Sequence, residues 1–260
     1  MADIDANGSG ARVKADPQNH RTVDRVTRIL EEVVYNPGMT FAELVRALGA
    51  AKSSVHGFIQ GLLAKGWLYE EDHRFYLGPA VYALTLASGH IRAGLVTHKD
   101  LIKLHEASGL AVFLGVPAGD HLIYVAEAGS DHLVGFAARS DIRRTLLMTA
   151  GGKALLAARP SPEHEAYLRR RNAAESSLVT AFLEEYEGIR NTRIATNARA
   201  NGARFAIATA VRNQSGHAVA SVTLTGPTDQ VQPRLEELSE LLKKHVDVWS
   251  KRAMKPREAI

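Results

Sequence analysis

Cysteine is absent from the 260-residue chain. This absence excludes disulfide bonds, zinc sites built on thiolates and catalysis by a thiol nucleophile. A chain without cysteine also fits a reducing compartment, so we expect a cytoplasmic location.

Long apolar segments and an export signal are missing as well. No apolar run approaches the roughly 20 residues that a membrane-spanning helix needs. Residues 1–10 are polar and lack both a basic start and an apolar centre. With 45% apolar and 23% charged residues the composition is that of a globular protein. A length of 260 residues predicts two domains.

Sequence motifs of catalysis and metal binding are also lacking. There is no Gly-x-Ser-x-Gly elbow and no Gly-x-Gly-x-x-Gly cofactor loop. The 11 histidines include no His-x-x-x-His pair, which argues against a metal site. Gly152-Lys153 is followed by Ala154 instead of Ser or Thr, so this segment is not a nucleotide-binding P-loop. We therefore assign no catalytic residue, metal or cofactor, although dispersed catalytic residues would leave no such motif.

The charge of the first third of the chain is balanced. The whole chain has a net charge of +4, but residues 1–78 hold nine Lys and Arg against ten Asp and Glu. A DNA-binding interpretation of this region must therefore depend on which face carries the basic residues.

Three helices are predicted in this region. Apolar residues recur at helical spacing from Val23 to Val34, until Asn36-Pro37-Gly38 breaks the pattern. Thr40 and Glu43 form a capping box for a second helix that ends near Gly49. A third helix follows and ends at Gly66. Its apolar stripe consists of Val55, Ile59, Leu62 and Leu63.

A polar helix face and a hairpin follow from the same pattern. The outer face of the third helix is small and polar, which suits a DNA major groove but also any solvated helix. Residues 67–69 and 74–77 read as two strands around a polar turn, which is the position of a wing.

The segment Lys52 to Leu63, with Gly66-Trp67-Leu68 and Arg74 to Gly78, resembles the winged-helix signature of the IclR family of transcriptional regulators. The family usually has arginine where this chain has Gly57. The resemblance implies binding to a double-stranded DNA operator. The expected DNA-contacting residues are Arg21, Thr40, Lys52, Ser53, Ser54, His56, Gln60 and Arg74.

Pro79 begins a further helix with an apolar stripe of Val81, Leu84, Ala87 and Ile91. In the family this element links the domains and packs against its counterpart in a homodimer, often within a dimer of dimers. Docking of the stripe onto the second domain is the alternative. Another helix is expected at about residues 99–107.

Strand and helix patterns alternate in the second domain, which predicts an α+β fold with an antiparallel sheet and flanking helices. The strands are expected at residues 110–116, 122–126, 133–138, 205–211 and 218–224. The helices are expected at residues 154–158, 163–171, 182–190 and 235–249. The resemblance implies a GAF-like effector-binding domain. The expected division is a disordered tail (1–19), a winged helix-turn-helix domain (20–78), a linker helix (79–95) and the effector-binding domain (96–260).

The segment Met148 to Ala157 looks like the loop and helix start that border the family's ligand pocket. Free N–H groups at a helix start suit a carboxylate, although a purely structural role is equally expected, and Lys153 reads as solvated or structural. Where the family usually carries paired acids, this chain has Arg199 and Ala200. The expected effector-binding residues are Phe113, Phe136, Met148, Ala150, Gly151, Thr196, Asn197, Ala206, Thr223 and Thr225.

Together these features predict a DNA-binding regulator whose operator affinity changes when a small organic or aromatic acid binds the second domain. Two other functions are weighed against it. One is an enzyme that carries a GAF-like domain, and the other is a protein-interaction module.

Overall fold

The computed structural model describes residues 20–88, 95–129 and 143–252. The first domain is a winged helix-turn-helix, as the sequence predicts. Its helices are α1 (Arg21–Tyr35), α2 (Phe41–Leu48) and α3 (Lys52–Ala64), and its strands are β1 (Met39–Thr40), β2 (Leu68–Glu71) and β3 (Arg74–Leu77). The strands form an antiparallel sheet in the order β1-β3-β2. β1 was not expected from the sequence, since two residues carry no periodicity.

Local signals set the ends of these helices. Thr40 accepts a hydrogen bond from the Glu43 backbone N–H, and the Glu43 carboxylate accepts one from the Thr40 N–H, which is the predicted capping box. Gly49 ends α2 in the left-handed region, with φ of 58°, where glycine has no steric cost.

The predicted apolar stripes meet in one core, formed by Ile29 and Val33 of α1, Leu44 of α2, and Val55, Ile59 and Leu62 of α3. Phe75 of the wing closes this core from the sheet side. Burying such side chains stabilises a fold by about 1.5–3 kcal/mol each, so the wing and the helices depend on one another.

Two helices follow the wing, α4 (Pro79–Ser88) and α5 (His98–Ser108). A second capping box, between Thr97 and Asp100, starts α5. The predicted tail (residues 1–19) and Ile91 of the predicted linker stripe lie outside the described residues. Across the described ranges, no helix has both the length and the apolarity needed to cross a membrane.

The second domain is built on a six-stranded antiparallel sheet, which confirms the predicted sheet type. Its strand order is β6-β5-β4-β9-β8-β7. The strands are β4 (Ala111–Ala118), β5 (His121–Ala128), β6 (Arg143–Thr145), β7 (Ala195–Arg199), β8 (Arg204–Arg212) and β9 (Ala218–Pro227).

Helices pack against both faces of this sheet. They are α6 (Ala150–Ala157), α7 (Ser161–Arg169), α8 (Ser176–Thr192), α9 (Thr228–Val231) and α10 (Leu235–Ser250). One face buries Val222 and Leu224 against Leu104 of α5 and Trp249 of α10. The other face packs against α6 and α8 and carries the candidate effector site.

Several elements differ from the sequence expectations. α6 begins at Ala150 rather than at 154, because Thr149 caps it and accepts a hydrogen bond from the Gly152 N–H at 2.9 Å. Lys153 is buried and pairs with Glu185, with 2.5 Å between Nζ and Oε2, so its role is structural and not that of a solvated side chain. β6 and β7 were not expected as strands. The strand expected at 133–138 falls outside the described residues.

Candidate DNA interface and effector site

The outer face of α3 is the first candidate surface. Lys52, Ser53, His56 and Gln60 are exposed on it, while Val55 and Ile59 of the same helix are buried. These side chains carry the donors and acceptors that reach phosphates and base edges in a major groove. The face is therefore narrow and polar along its whole length.

Gly57 lies in the middle of this face. A Cβ at this position would have no heavy atom within 4 Å outside its own helix backbone. Packing within the chain therefore does not require glycine here, and the space for a Cβ is open.

Two arginines of α1 extend the cationic surface beside α3. Arg25 Nη1 donates to Ser54 Oγ at 3.3 Å, and Arg28 Nη2 donates to the Ala47 carbonyl at 3.3 Å. Both line a cleft of about 360 Å³ between α1 and the start of α3. Sequence reasoning missed them, although Arg21, Arg25 and Arg28 recur at the three- and four-residue spacing that places side chains on one helix face.

Three predicted DNA contacts have other roles within the domain. The Thr40 hydroxyl donates to Glu43 Oε2 at 2.9 Å as part of the capping box, and hydrogen bonds from the Thr40 backbone and side chain lower the pKa of Glu43. Arg74 Nη1 donates to the Gly38 carbonyl at 2.8 Å. His56 packs edge-on against Phe41, with 5.9 Å between ring centroids.

The second candidate site lies where α6 begins over the sheet. Gly151 contacts the hydroxyls of β9 so closely that a Cβ there would lie 2.7 Å from Ser221 Oγ and 3.0 Å from Thr223 Oγ1. Only glycine fits this approach without movement of its neighbours. The start of α6 and the hydroxyls of β9 therefore pack directly against each other.

Ser221, Thr223 and Thr225 alternate along β9 and share one face of the sheet. The Thr225 hydroxyl donates to the Phe205 carbonyl at 3.2 Å. The hydroxyls of Ser221 and Thr223 are buried and have no hydrogen-bond partner among the described residues. Buried polar groups are nearly always hydrogen-bonded in folded proteins, so this pair is suited to a polar ligand.

Small side chains and one amide surround these hydroxyls on the neighbouring strands. Ala206 of β8 pairs with Thr225 on one side and with Asn197 of β7 on the other. Asn197 Nδ2 donates to the Met148 carbonyl at 3.2 Å, which ties β7 to the loop before α6. A small side chain therefore lies between Thr225 and Asn197 on this face.

An aromatic pair on β4 and β5 lies on the other side of β9 from Ala206 and Asn197. Phe113 contacts Tyr124 edge-on, with 5.5 Å between ring centroids. Burial raises the pKa of the Tyr124 phenol, whereas the charges of Arg144 and Arg199 and a hydrogen bond with Thr149 act to lower it. Two positive charges therefore lie near the phenol of Tyr124.

The expected effector residues are distributed unevenly around this site. Phe113, Ala150, Gly151, Asn197, Ala206, Thr223 and Thr225 lie on or next to the face that α6 covers. Thr196 pairs with Ile207, a residue of the opposite core, so it belongs to the other face of the sheet. The Met148 side chain is 54% exposed, and Phe136 lies outside the described residues.

Sequence reasoning missed three residues of this group: Ser221, Arg144 and Arg199, the last noted only as a departure from the family. The alternation of Ser221 with Thr223 and Thr225 along the sequence was the signal that could have identified Ser221.

Comparison with known proteins assigns the family. The sequence profile of "Bacterial transcriptional regulator IclR C-terminal" matches residues 85–251, more than half of the chain, and that of "IclR helix-turn-helix domain" matches residues 22–72. The chain belongs to the IclR family of transcriptional regulators. Members of the IclR family are transcriptional regulators and not enzymes. The alternative of an enzyme that carries a GAF-like domain is therefore rejected.

Relatives of the IclR family match along most of the chain. The HTH-type transcriptional regulator BhcR of Paracoccus denitrificans is 28% identical over 248 residues, which cover 90% of this chain and 87% of BhcR. An IclR-family regulator from Brucella abortus has a TM-score of 0.68 at 16% identity, covering 92% of this chain and 95% of the regulator.

A third relative was solved with a bound ligand. It is an IclR homologue from Microbacterium hydrocarbonoxydans in complex with 4-hydroxybenzoate, with a TM-score of 0.67 and 18% identity, covering 88% of this chain and 97% of the homologue. From the two family profiles, this chain has a DNA-binding helix-turn-helix domain and the effector-binding C-terminal domain of IclR regulators.

Proposed function

We propose that this IclR-family regulator binds a two-fold DNA operator as a homodimer and changes its operator affinity when a small organic or aromatic carboxylate occupies the second domain. The winged domain (residues 20–78) contacts the operator, the helix of residues 79–95 joins the domains, and residues 96–260 hold the effector. It acts in the cytoplasm, where its operator lies.

Operator contact is assigned to α3 and the cationic side of α1. Lys52, Ser53, Ser54, His56 and Gln60 face the major groove, and Arg21, Arg25 and Arg28 reach flanking phosphates. Arg74 of the wing contributes a further phosphate contact, and Thr40 acts indirectly, by capping the start of α2. Loss of a specific electrophoretic shift on Lys52→Ala or Gln60→Ala, with the upstream DNA of its own gene, tests this assignment.

The dimer contact is assigned to α4. Tyr82 and Leu84 are 63% and 55% exposed on this helix, although both are large and apolar or aromatic. Burying these side chains against the same helix of a second copy removes apolar surface from water. Sedimentation of Leu84→Glu at several concentrations, beside wild type, tests the assignment, and a monomeric wild type would contradict it.

One observation carries the effector assignment: Ser221 and Thr223, whose buried hydroxyls have no hydrogen-bond partner in the described part of the chain, lie beneath Gly151 at the start of α6. A carboxylate oxygen accepts hydrogen bonds from both hydroxyls and from backbone N–H groups of the helix start. Arg144 and Arg199 supply the opposite charge near Tyr124. Phe113 and Tyr124 offer an aromatic surface to the rest of the ligand.

Thermal unfolding in the presence of benzoate, 4-hydroxybenzoate and propionate tests the effector site. We expect at least one carboxylate to raise the Tm, and the matched amide benzamide to have less effect because it lacks the negative charge. The double variant Thr223→Val with Thr225→Val should lose the response. A response that persists unchanged in this variant would move the ligand away from β9.

A further inference from the structure

Strand β6 contacts the winged domain and lies beside the candidate effector site. It is a three-residue edge strand, paired with β5 in the register Arg143 to Ile123 and Arg144 to Leu122. Successive side chains of a strand point to opposite faces of a sheet. Arg143 and Arg144 therefore extend from one short strand in opposite directions.

Arg143 contacts the winged domain. Its Nε and Nη2 atoms each lie 2.8 Å from Oε1 of Glu31, which belongs to α1. The two side chains are 35% and 26% exposed, so solvent screens this ion pair only in part. The pair joins residues that are 112 positions apart in the sequence and lie in different domains.

Arg144 extends to the effector side. It shares a face of the sheet with Leu122. Leu122 in turn lies next to Gly151, because a Cβ at Gly151 would be 3.3 Å from Leu122 Cδ2. Its charge acts on the phenol of Tyr124, which follows Leu122 by two residues on β5. The chain then runs from β6 through a single 3₁₀ turn to Thr149, the cap of α6.

We propose that β6 couples the effector site to the winged domain through the Arg143–Glu31 ion pair. This inference rests on the proposed effector site. The ion pair holds α1 in one arrangement relative to β6, and a carboxylate that draws Arg144 toward Ser221 and Thr223 moves β6 and breaks the pair. An effector changes operator affinity only if it binds two arrangements of the chain with unequal affinity. Here the two arrangements differ in whether the Arg143–Glu31 ion pair is formed.

Charge reversal tests the coupling, with DNA affinity as the measurement. Arg143→Glu should change the Kd for the upstream DNA fragment two- to fivefold in the absence of ligand, the range that a partly exposed ion pair supports. It should also reduce the ratio of Kd values measured with and without benzoate or propionate. Adding Glu31→Arg to Arg143→Glu should restore both quantities toward wild type. Because Glu31→Arg alone adds positive charge to α1, the rescue in the double variant carries the conclusion.

A matched control comes from α7. Arg169 and Glu165 form an exposed ion pair of the same residue types, 3.4 Å apart. The single and double reversals of this pair should leave the Kd and its ligand response unchanged. Thermal unfolding of every variant separates loss of the folded chain from loss of coupling.

The outcomes distinguish the coupling from the effector site. If carboxylates alter the Kd of wild type and of Arg143→Glu by the same ratio, the coupling is wrong while the effector site stands. If no carboxylate alters the Kd of wild type, the effector site is wrong. If Arg143→Glu also has the same Kd as wild type, the coupling is wrong too. A double variant that behaves like Arg143→Glu also overturns it, because the two charges then act independently.

Discussion

Gly151 lies so close to the side chain of Ser221 that a Cβ at position 151 would sit 2.7 Å from Ser221 Oγ. A contact this short requires the helix start or the strand to shift. Because Thr223 Oγ1 lies 3.0 Å from the same point, the shift would displace both hydroxyls of the proposed effector site.

Gly151→Ala is therefore expected to lower the free energy of unfolding by about 1–3 kcal/mol, the usual cost of overpacking, and to abolish the carboxylate response. Urea denaturation measures the first effect. Gly188→Ala on α8 is the control, because a Cβ there meets no heavy atom within 4 Å, and alanine should stabilise that helix by up to about 1 kcal/mol. Equal behaviour of the two variants would contradict the close approach.

Thr223→Val removes a buried hydroxyl that has no partner among the described residues. We expect the free energy of unfolding to rise by about 1 kcal/mol, because the variant no longer buries a hydroxyl without a hydrogen bond. The affinity for the carboxylate should fall, because the ligand loses this hydroxyl as a donor. Thr225→Val removes the hydrogen bond to Phe205 and should lower stability by about 1 kcal/mol. Destabilisation by Thr223→Val would show that its hydroxyl already has a partner.

Gly57→Ala and Gly57→Arg test the open position on α3. Both should raise the free energy of unfolding by up to about 1 kcal/mol, because glycine is a poor helix former. Only the arginine should strengthen DNA binding and steepen the plot of log K against log salt by about 0.9, the increment for one added phosphate contact. A salt dependence equal to that of Gly57→Ala would place residue 57 away from the backbone of the DNA.

Arg25→Gln tests the missed cationic side of α1. We expect weaker DNA binding and a salt slope smaller in magnitude by about 0.9, as for loss of one phosphate contact. Arg169→Gln on α7 removes the same charge from the second domain and should leave the slope unaltered. An unchanged slope in Arg25→Gln would mean that the arginine only supports Ser54.

Asp100 gives the second domain an acid-sensitive contact. Burial alone would raise its pKa, but hydrogen bonds from Arg252 and Thr97 outweigh burial and hold the pKa at about 2. Arg252 Nη2 lies 3.0 Å from Asp100 Oδ1. Since the folded pKa is below the ordinary value of 3.8, this stabilisation is complete above pH 4 and disappears as pH falls toward 2.

Arg252→Gln should therefore lower the free energy of unfolding by about 1 kcal/mol at neutral pH. This value is small because Arg252 is 40% exposed and solvent screens the ion pair. The difference from wild type should shrink between pH 4 and pH 2. Denaturant unfolding across this range measures it. Arg169→Gln, which breaks an exposed pair with Glu165, should cost less at neutral pH. A difference for Arg252→Gln that stays constant down to pH 2 would rule out the ion pair as its cause.

Features with local causes were predictable from the sequence. The capping box at Thr40 and the left-handed Gly49 act within a few residues, and the apolar stripe of α3 needs only helical periodicity. The winged domain followed from such signals. The basic surface of this domain was not predictable, because it depends on where Arg25 and Arg28 of α1 lie relative to α3.

Features that depend on distant partners were not predictable. β6 is three polar residues that become a strand by pairing with β5, so the directions of Arg143 and Arg144 were unknown. The face of Thr196 depended on its register with Ile207. The lack of a hydrogen-bond partner for Ser221 and Thr223 among the residues that the structure describes depends on how α6 packs over β9, which no local signal gives.

The most direct test of the account is fluorescence anisotropy with the DNA upstream of this protein's own gene, measured across a salt series with and without a carboxylate that raises the Tm. We expect tighter binding to this fragment than to a scrambled fragment, a log K that falls linearly with log salt, and a Kd that shifts when the carboxylate is added. Equal affinity for both fragments at every salt concentration, unaffected by the carboxylate, would contradict the account.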